Sequence, residues 1–332
     1  PERGKEEIDA TNMAVSPGFI NMLSWATTSL IADGRSLSDI KQGVTLEVFG
    51  EGGSMGPLNK QMKEDEKTSM GEFKYDIDWT TLGEYLESLE RRGISTNVAS
   101  FIGATTLRIH EIGYEDRPPT DREMENMRNL VRQAMEEGAL GIGSSLIYAP
   151  AFYSSTEELI ELCKIASEYN GMYISHLRSE SNQFLEALEE LITISEKAGI
   201  RAEVYHLKAG GVKNHYKMDQ AIARIDAARK RGIDISTDMY TYIAGATGLD
   251  AHMPPWVQEG GYEKWAERLQ DSKIRRRVLK EMTNPTDEWE NLMYSAGTPD
   301  NLLLVGFKND SLRHYTGKTL TQVAKIHGKS PE

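Results

Sequence analysis

The sequence predicts an α/β fold, a TIM-like (β/α) barrel, and three observations carry that reading. Strand-like runs recur along the 332 residues, each closed by a turn signal and most followed by an amphipathic helical stretch. Two of these runs, Tyr173-Ile174-Ser175-His176-Leu177-Arg178 and Val204-Tyr205-His206-Leu207-Lys208, end alike in a histidine followed two residues later by a cation. The segment between them, Gln183 to Gly199, sets Phe184, Leu185, Leu188, Leu191 and Ile192 on one helical face and stops at glycine, which completes a β-α-β unit. Parallel strands joined by right-handed crossovers end at the same sheet edge, so both imidazoles emerge together.

Seven parallel barrel strands are expected, over 17–23, 44–49, 96–102, 139–144, 172–176, 202–206 and 233–239. Helices are expected over 33–41, 79–92, 121–137, 157–169, 183–198 and 218–231. Residues 249–300, with Pro254-Pro255-Trp256 and a charged helical stretch, read as an insertion over the barrel mouth, and 301–307 as a short strand outside the repeat. Residues 1–16 read as the remnant of a small β-domain, and 17–332 as the barrel, cut before strand eight.

Composition narrows the function. A hydrophobic content of 39% suffices for a core, and a formal net charge of −13 argues against a nucleic-acid partner. No run of eighteen apolar residues argues for a membrane span. A cytoplasmic location is favoured; periplasmic or secreted forms stay open because Pro1-Glu2-Arg3 does not look like a natural start. Homo-oligomerisation is also left open. The single Cys163 excludes an internal disulfide and sits beside Leu159 and Leu162, where a buried structural thiol is expected.

Neutral imidazole is the commonest protein metal ligand, so the convergence of His176 and His206 points to zinc or a related divalent ion. Arg178 and Lys208 either face the same pocket, where a cation suits an anionic substrate, or form ion pairs at the rim. Glu51 lies among the glycines of Gly50-Glu51-Gly52-Gly53, which read equally as a flexible turn or as a device bringing a third metal ligand to the mouth. Alternation places Asp238, Tyr240 and Tyr242 on one side, so a phenol can face the histidines.

These residues resemble those of a known family. Ser16-Pro17-Gly18-Phe19-Ile20-Asn21 resembles the opening strand of amidohydrolases. The order of Glu136-Glu137-Gly138-Ala139-Leu140-Gly141, Leu146-Ile147-Tyr148-Ala149-Pro150, Ser175-His176-Leu177-Arg178, His206-Leu207-Lys208-Ala209 and Thr247-Gly248-Leu249 resembles the N-acyl-D-amino-acid deacylase (D-aminoacylase) branch. The likeness runs from about Ile8 to Gly261.

It implies a zinc-dependent hydrolase of a linear amide, acting on a C–N bond other than an ordinary peptide bond, with an N-acyl amino acid or similar small molecule as substrate. His176 and His206 would hold zinc, and Lys208 and Tyr240 match the family's lysine and substrate-contacting tyrosine. The chain departs from the family pattern in four places. Leu23-Ser24-Trp25 stands where a His-x-His pair is usual, so one ion is expected, with Leu23 and Trp25 filling the space of a second. Gly52 stands nearest the family's bridging cysteine, beside Glu51 as its replacement. Ala246 replaces a frequent serine. The aspartate that serves the family as general base is expected beyond Glu332, which leaves the chain as given catalytically silent. The rival expectations are a degenerate barrel that binds without catalysis, and a hydrolase of a cyclic amide or dipeptide.

Overall fold

Residues 4–71 and 73–332 are described by a computed structural model of the chain. Among the described residues eight short strands run in parallel, neighbours pairing in sequence order within each sheet: β1 (Phe19–Asn21), β2 (Val44–Phe49), β3 (Asn97–Ser100), β4 (Ile102–Gly103), β5 (Gly141–Ser145), β6 (Met172–His176), β7 (Arg201–Val204) and β8 (Ile235–Thr237). They form two hydrogen-bonded sets, β1-β2-β3 and β4-β5-β6-β7-β8. The boundary falls inside one run of chain. At Phe101 the backbone N–H turns to the carbonyl of Phe49, whereas Leu140 reaches the carbonyl of Ser100, so the strand expected over 96–102 is split between the two sets.

The sheet is strongly curled. Four strand spacings of about 4.8 Å would hold β2 and β7 roughly 19 Å apart in a flat sheet. Yet Val48 of β2, Phe101, Ile174 of β6 and Tyr205 just after β7 form one buried apolar cluster. The helices cover the opposite face. Phe184–Ala198 buries the five apolar residues expected of it and ends at Gly199, whose φ of +63° is the left-handed conformation that a helix C-terminus favours. Helix Asp121–Glu136 begins in a capping box made by Thr120 and Glu123, and Leu82–Arg92 in one made by Thr81 and Glu84. Their apolar faces join the outward residues Ile142, Tyr173, Ala202, Val204 and Ile235 in the main core.

The segment over 249–300 is helical and has a small core of its own, Val257, Val278, Met282 and Met293. It is fastened to the sheet side by bonds from Tyr153 to the carbonyl of Pro255 (2.7 Å), Asn182 to the carbonyl of Thr286 (3.1 Å) and Ser179 to Glu290 (2.6 Å). The short strand expected over 301–307 is absent among the described residues; one antiparallel bridge joins Leu303 to Thr319. A helix the sequence reading passed over, Leu320–His327, follows a Thr319/Gln322 capping box. Residues 4–18 contain neither strand nor helix, and among the described residues no helix is long and apolar enough to cross a membrane.

Candidate metal centre

Three side chains meet at the C-terminal edge of the curled sheet: Glu51, His176 and His206, all buried, with one possible ligand atom from each lying within 4.8 Å of the others. Glu51 Oε1 stands 3.1 Å from His176 Nδ1 and 3.1 Å from His206 Nε2, and the two rings lie edge to face with centroids 4.7 Å apart.

Each residue arrives by its own route. His176 follows plain alternation, two residues beyond the inward-facing Ile174. By the same alternation His206 would share the outward side of Val204, since Tyr205 points inward. Its φ of +38°, rare for a residue with a side chain, breaks the pattern and turns the ring to the mouth. Asp238 secures this turn, accepting the backbone N–H of His206 at 2.5 Å through its side chain and that of Leu207 at 3.0 Å through its carbonyl. Glu51 would likewise share the side of Phe49, but Gly50 has φ +107° and redirects it. A Cβ on Gly50 would meet the carbonyl of Phe101 at 2.5 Å, so the turn requires glycine twice over, by conformation and by space.

The sequence reading missed Glu180, a buried carboxylate four residues beyond His176. Its Oε1 lies 2.6 Å from Lys208 Nζ and 3.0 Å from His206 Nδ1, and its Oε2 lies 3.7 Å from His176 Nε2. Burial works against a charge on Glu180, but His176, His206 and Lys208 outweigh it and hold its carboxyl down to about 2. Burial also opposes ionisation of Glu51, which hydrogen bonds to both histidines nonetheless keep below the ordinary carboxyl range. For His206 burial disfavours the charge, and Glu180 and Glu51 together raise its pKa to about 9.

Lys208 does reach the cluster, but its contacts are internal: Glu180, His206 Nδ1 (3.0 Å) and the carbonyl of His206 (3.3 Å). Tyr240 stands beside it, its ring centroid 6.1 Å from that of His206 and 5.4 Å from Lys208 Nζ. Tyr148, which the reading of the residues did not single out, lies edge-on to His176 at 5.5 Å and hydrogen-bonds Thr247.

Two expectations need correcting. Arg178 does not face the histidines: β6 ends at His176, so strand alternation no longer governs it. Its guanidinium is clamped by Glu190 (2.8 and 2.9 Å) and the carbonyls of Phe152 and Ser154. It borders a separate cavity of about 320 Å³ with Phe152, Gln183 and Trp289. Trp25 does not fill a pocket floor, because β1 ends at Asn21 and the indole is 65% exposed. Ser24 donates its hydroxyl to Glu47 at 2.6 Å, and of the pair only Leu23 packs on the inner cluster. Cys163 is buried as expected, and burial raises its thiol well above the usual range.

The cluster suits a divalent ion. Its donor set is two imidazole nitrogens and a carboxylate oxygen, a combination zinc favours, and zinc–ligand bonds of about 2.0–2.2 Å put neighbouring donors roughly 3.2–3.5 Å apart, close to the 3.1 Å from Glu51 to each histidine. His176 Nε2 is buried without a hydrogen-bond partner.

The curled parallel sheet and its edge cluster define the class: an α/β protein with, at the C-terminal ends of its strands, three side chains that could hold a metal ion. Comparison with known proteins narrows it. No family model matches the chain. D-aminoacylase of Alcaligenes xylosoxydans xylosoxydans is 32% identical over 246 residues, which take in 73% of this chain and 50% of that protein. The chain spans about half the length of the curated relatives it matches. A D-aminoacylase structure that defines a novel subset of amidohydrolases superposes with a TM-score of 0.67 at 27% identity, covering 95% of this chain and 57% of that one. Another, with a binuclear metal centre showing one-metal activation and second-metal attenuation, gives 0.66 at 26% with the same coverage. N-acyl-D-glutamate deacylase of Bordetella bronchiseptica, complexed with zinc and a phosphonate that mimics the tetrahedral intermediate, gives 0.73 at 22%, again covering 95% and 57%. The chain is thus similar to D-aminoacylase and the N-acyl-D-amino-acid deacylases, the likeness its motifs implied.

Proposed function

We propose that the chain carries the metal centre of a zinc-dependent hydrolase that cleaves the linear amide of an N-acyl-D-amino acid or a close analogue, on a sheet whose curl closes as a (β/α) barrel. The observation that carries this reading is the buried Glu51–His176–His206 cluster at the mouth of a fold shared with D-aminoacylase. Glu51, His176 and His206 would hold one ion, which when bound supplies Lewis-acid polarisation of the amide carbonyl and a more acidic water. One ion is supported by Leu23-Ser24-Trp25, which offers no imidazole at the end of β1. It also accords with the D-aminoacylase in which one metal activates and a second attenuates.

The chain's own residues then have separable tasks. Gly50 and the left-handed turn at His206 aim the ligands. Lys208 keeps Glu180 charged beside the rings, and its ammonium reaches a substrate carboxylate only by releasing one of its present acceptors. Tyr240, on the open side of His206, is placed to orient the acyl group or the oxyanion. Arg178, held by Glu190 and two carbonyls, serves as a structural clamp on the loop after β6.

The test joins zinc stoichiometry to hydrolysis of N-acetyl-D- and N-acetyl-L-amino acids, measured on the protein. One zinc per chain and turnover of the D series are expected. A folded chain that takes up no divalent ion would sink the metal reading, and preference for the L series would sink the substrate reading.

A further inference from the structure

The two imidazoles present four ring nitrogens, and two carboxylates bracket them from opposite sides. Glu51 takes His176 Nδ1 and His206 Nε2, each at 3.1 Å. Glu180 faces the other two, His206 Nδ1 at 3.0 Å and His176 Nε2 at 3.7 Å. We propose that Glu180 is a positioning residue that fixes the tautomers of both histidines, so that His176 binds an ion through Nδ1 and His206 through Nε2; this rests on the metal-centre reading above.

A neutral imidazole that gives one nitrogen to a metal carries its proton on the other, and a buried N–H needs an acceptor. Glu180 stands within hydrogen-bond distance of His206 Nδ1, and at 3.7 Å from His176 Nε2 it is placed to become the acceptor there once that ring takes up an ion through Nδ1. His176 Nε2 is buried with no hydrogen-bond partner, and Glu180 is the carboxylate nearest to it. His206 Nδ1 has two neighbours, Glu180 and Lys208 Nζ, and cannot donate to one while accepting from the other. Ligation through Nε2 leaves the proton on Nδ1, which selects Glu180 as acceptor and turns the Lys208 donors to the same carboxylate, 2.6 Å away. The backbone holds Glu180 in this place. Its carbonyl accepts from Gly210 at 2.5 Å, tying the loop after β6 to that after β7, and neighbouring Ser179 is bonded to Glu290 of the helical insertion. Carboxylates that orient ligating histidines typically change metal affinity 10- to 100-fold when removed.

The experiment is a long-range ¹⁵N–¹H correlation spectrum of the zinc-loaded, histidine-labelled chain, combined with zinc affinities of Glu180→Gln and Glu180→Ala by chelator competition. Protons on Nε2 of His176 and Nδ1 of His206 are expected. The zinc dissociation constant should rise about 10-fold in Glu180→Gln and towards 100-fold in Glu180→Ala, with one zinc still bound. The reversed tautomers would overturn the proposal by making Glu180 the ligand and Glu51 the outer carboxylate, and so would zinc affinity unchanged in both variants. Should either variant fail to fold, the tautomers of the unaltered chain decide. No zinc binding by the unaltered chain would instead remove the metal reading itself, and this proposal with it.

Discussion

Asp238 accepts the backbone N–H of His206 at 2.5 Å, and that bond holds His206, with φ +38°, in the left-handed conformation that points its ring at Glu51 and His176. Asp238→Ala should cost about 1–3 kcal/mol, the usual range when a partly buried donor loses its acceptor. Asp238→Asn keeps an oxygen in place and should cost less. Urea unfolding of the two variants checks the order, and zinc affinity should fall in parallel because the ring loses its orientation. Equal stability of Asp238→Ala and the unaltered chain would show that the turn is held by other contacts.

Zinc should stabilise the folded chain by mass action. An ion that binds the folded state alone adds about 2.7 kcal/mol at a hundredfold excess over its dissociation constant. The unaltered chain should therefore melt higher with zinc than with a chelator. Glu51→Gln should lose most of that increment, since an amide oxygen is a weaker zinc donor than a carboxylate. Calorimetry in both media measures it. A zinc increment retained by Glu51→Gln would assign the ion to the other side of the rings.

What the sequence disclosed and what it hid follow from the periodicity of the strands. The β-α repeat and the position of His176 are legible because alternation holds to the last residue of β6. The β-α-β unit brings His206 to the same edge, but the direction of its ring, like that of Glu51, is hidden because a left-handed residue in each turn, His206 itself or Gly50, overrides alternation. Arg178 and Trp25 were misplaced by extending strand periodicity past residues where the strands have ended. Glu180 lies in an irregular loop where no period applies. A signal for it did exist, since a cation at Lys208 beside two converging histidines needs a buried counter-charge, and Glu180 is the nearest acidic residue after His176.

Arg108 and Glu158 form a fully buried ion pair at 2.7 Å, with the guanidinium also donating to the carbonyls of Glu115 and Arg117. Removing one partner leaves an uncompensated buried charge, so Glu158→Gln or Arg108→Met should each destabilise the chain by about 3–5 kcal/mol. The double variant should recover part of the loss. A double-mutant cycle by denaturant unfolding gives the coupling, and strictly additive losses would mean that the pair is not coupled in the folded state.

Glu290 gives the chain a pH dependence of known sign. Burial is the main cause raising its pKa above the ordinary carboxyl value, and the nearby Glu180 charge adds to it. Hydrogen bonds from Ser179 and Ser181 and the backbone at Glu180 oppose both. A carboxyl whose folded pKa exceeds its unfolded one binds its proton more tightly in the folded state. Its contribution is fully present below the unfolded value, near 4.3, and is lost as pH rises through the folded value. Glu290→Gln stays neutral throughout while its amide oxygen can still accept from Ser179. The variant should therefore match the unaltered chain near pH 4 and exceed it in stability at pH 7 and above. Melting temperatures of both chains across this range test the sign. A variant less stable at pH 7 than at pH 4, relative to the unaltered chain, would mean that the ionised Glu290 latches the insertion to the loop carrying Glu180.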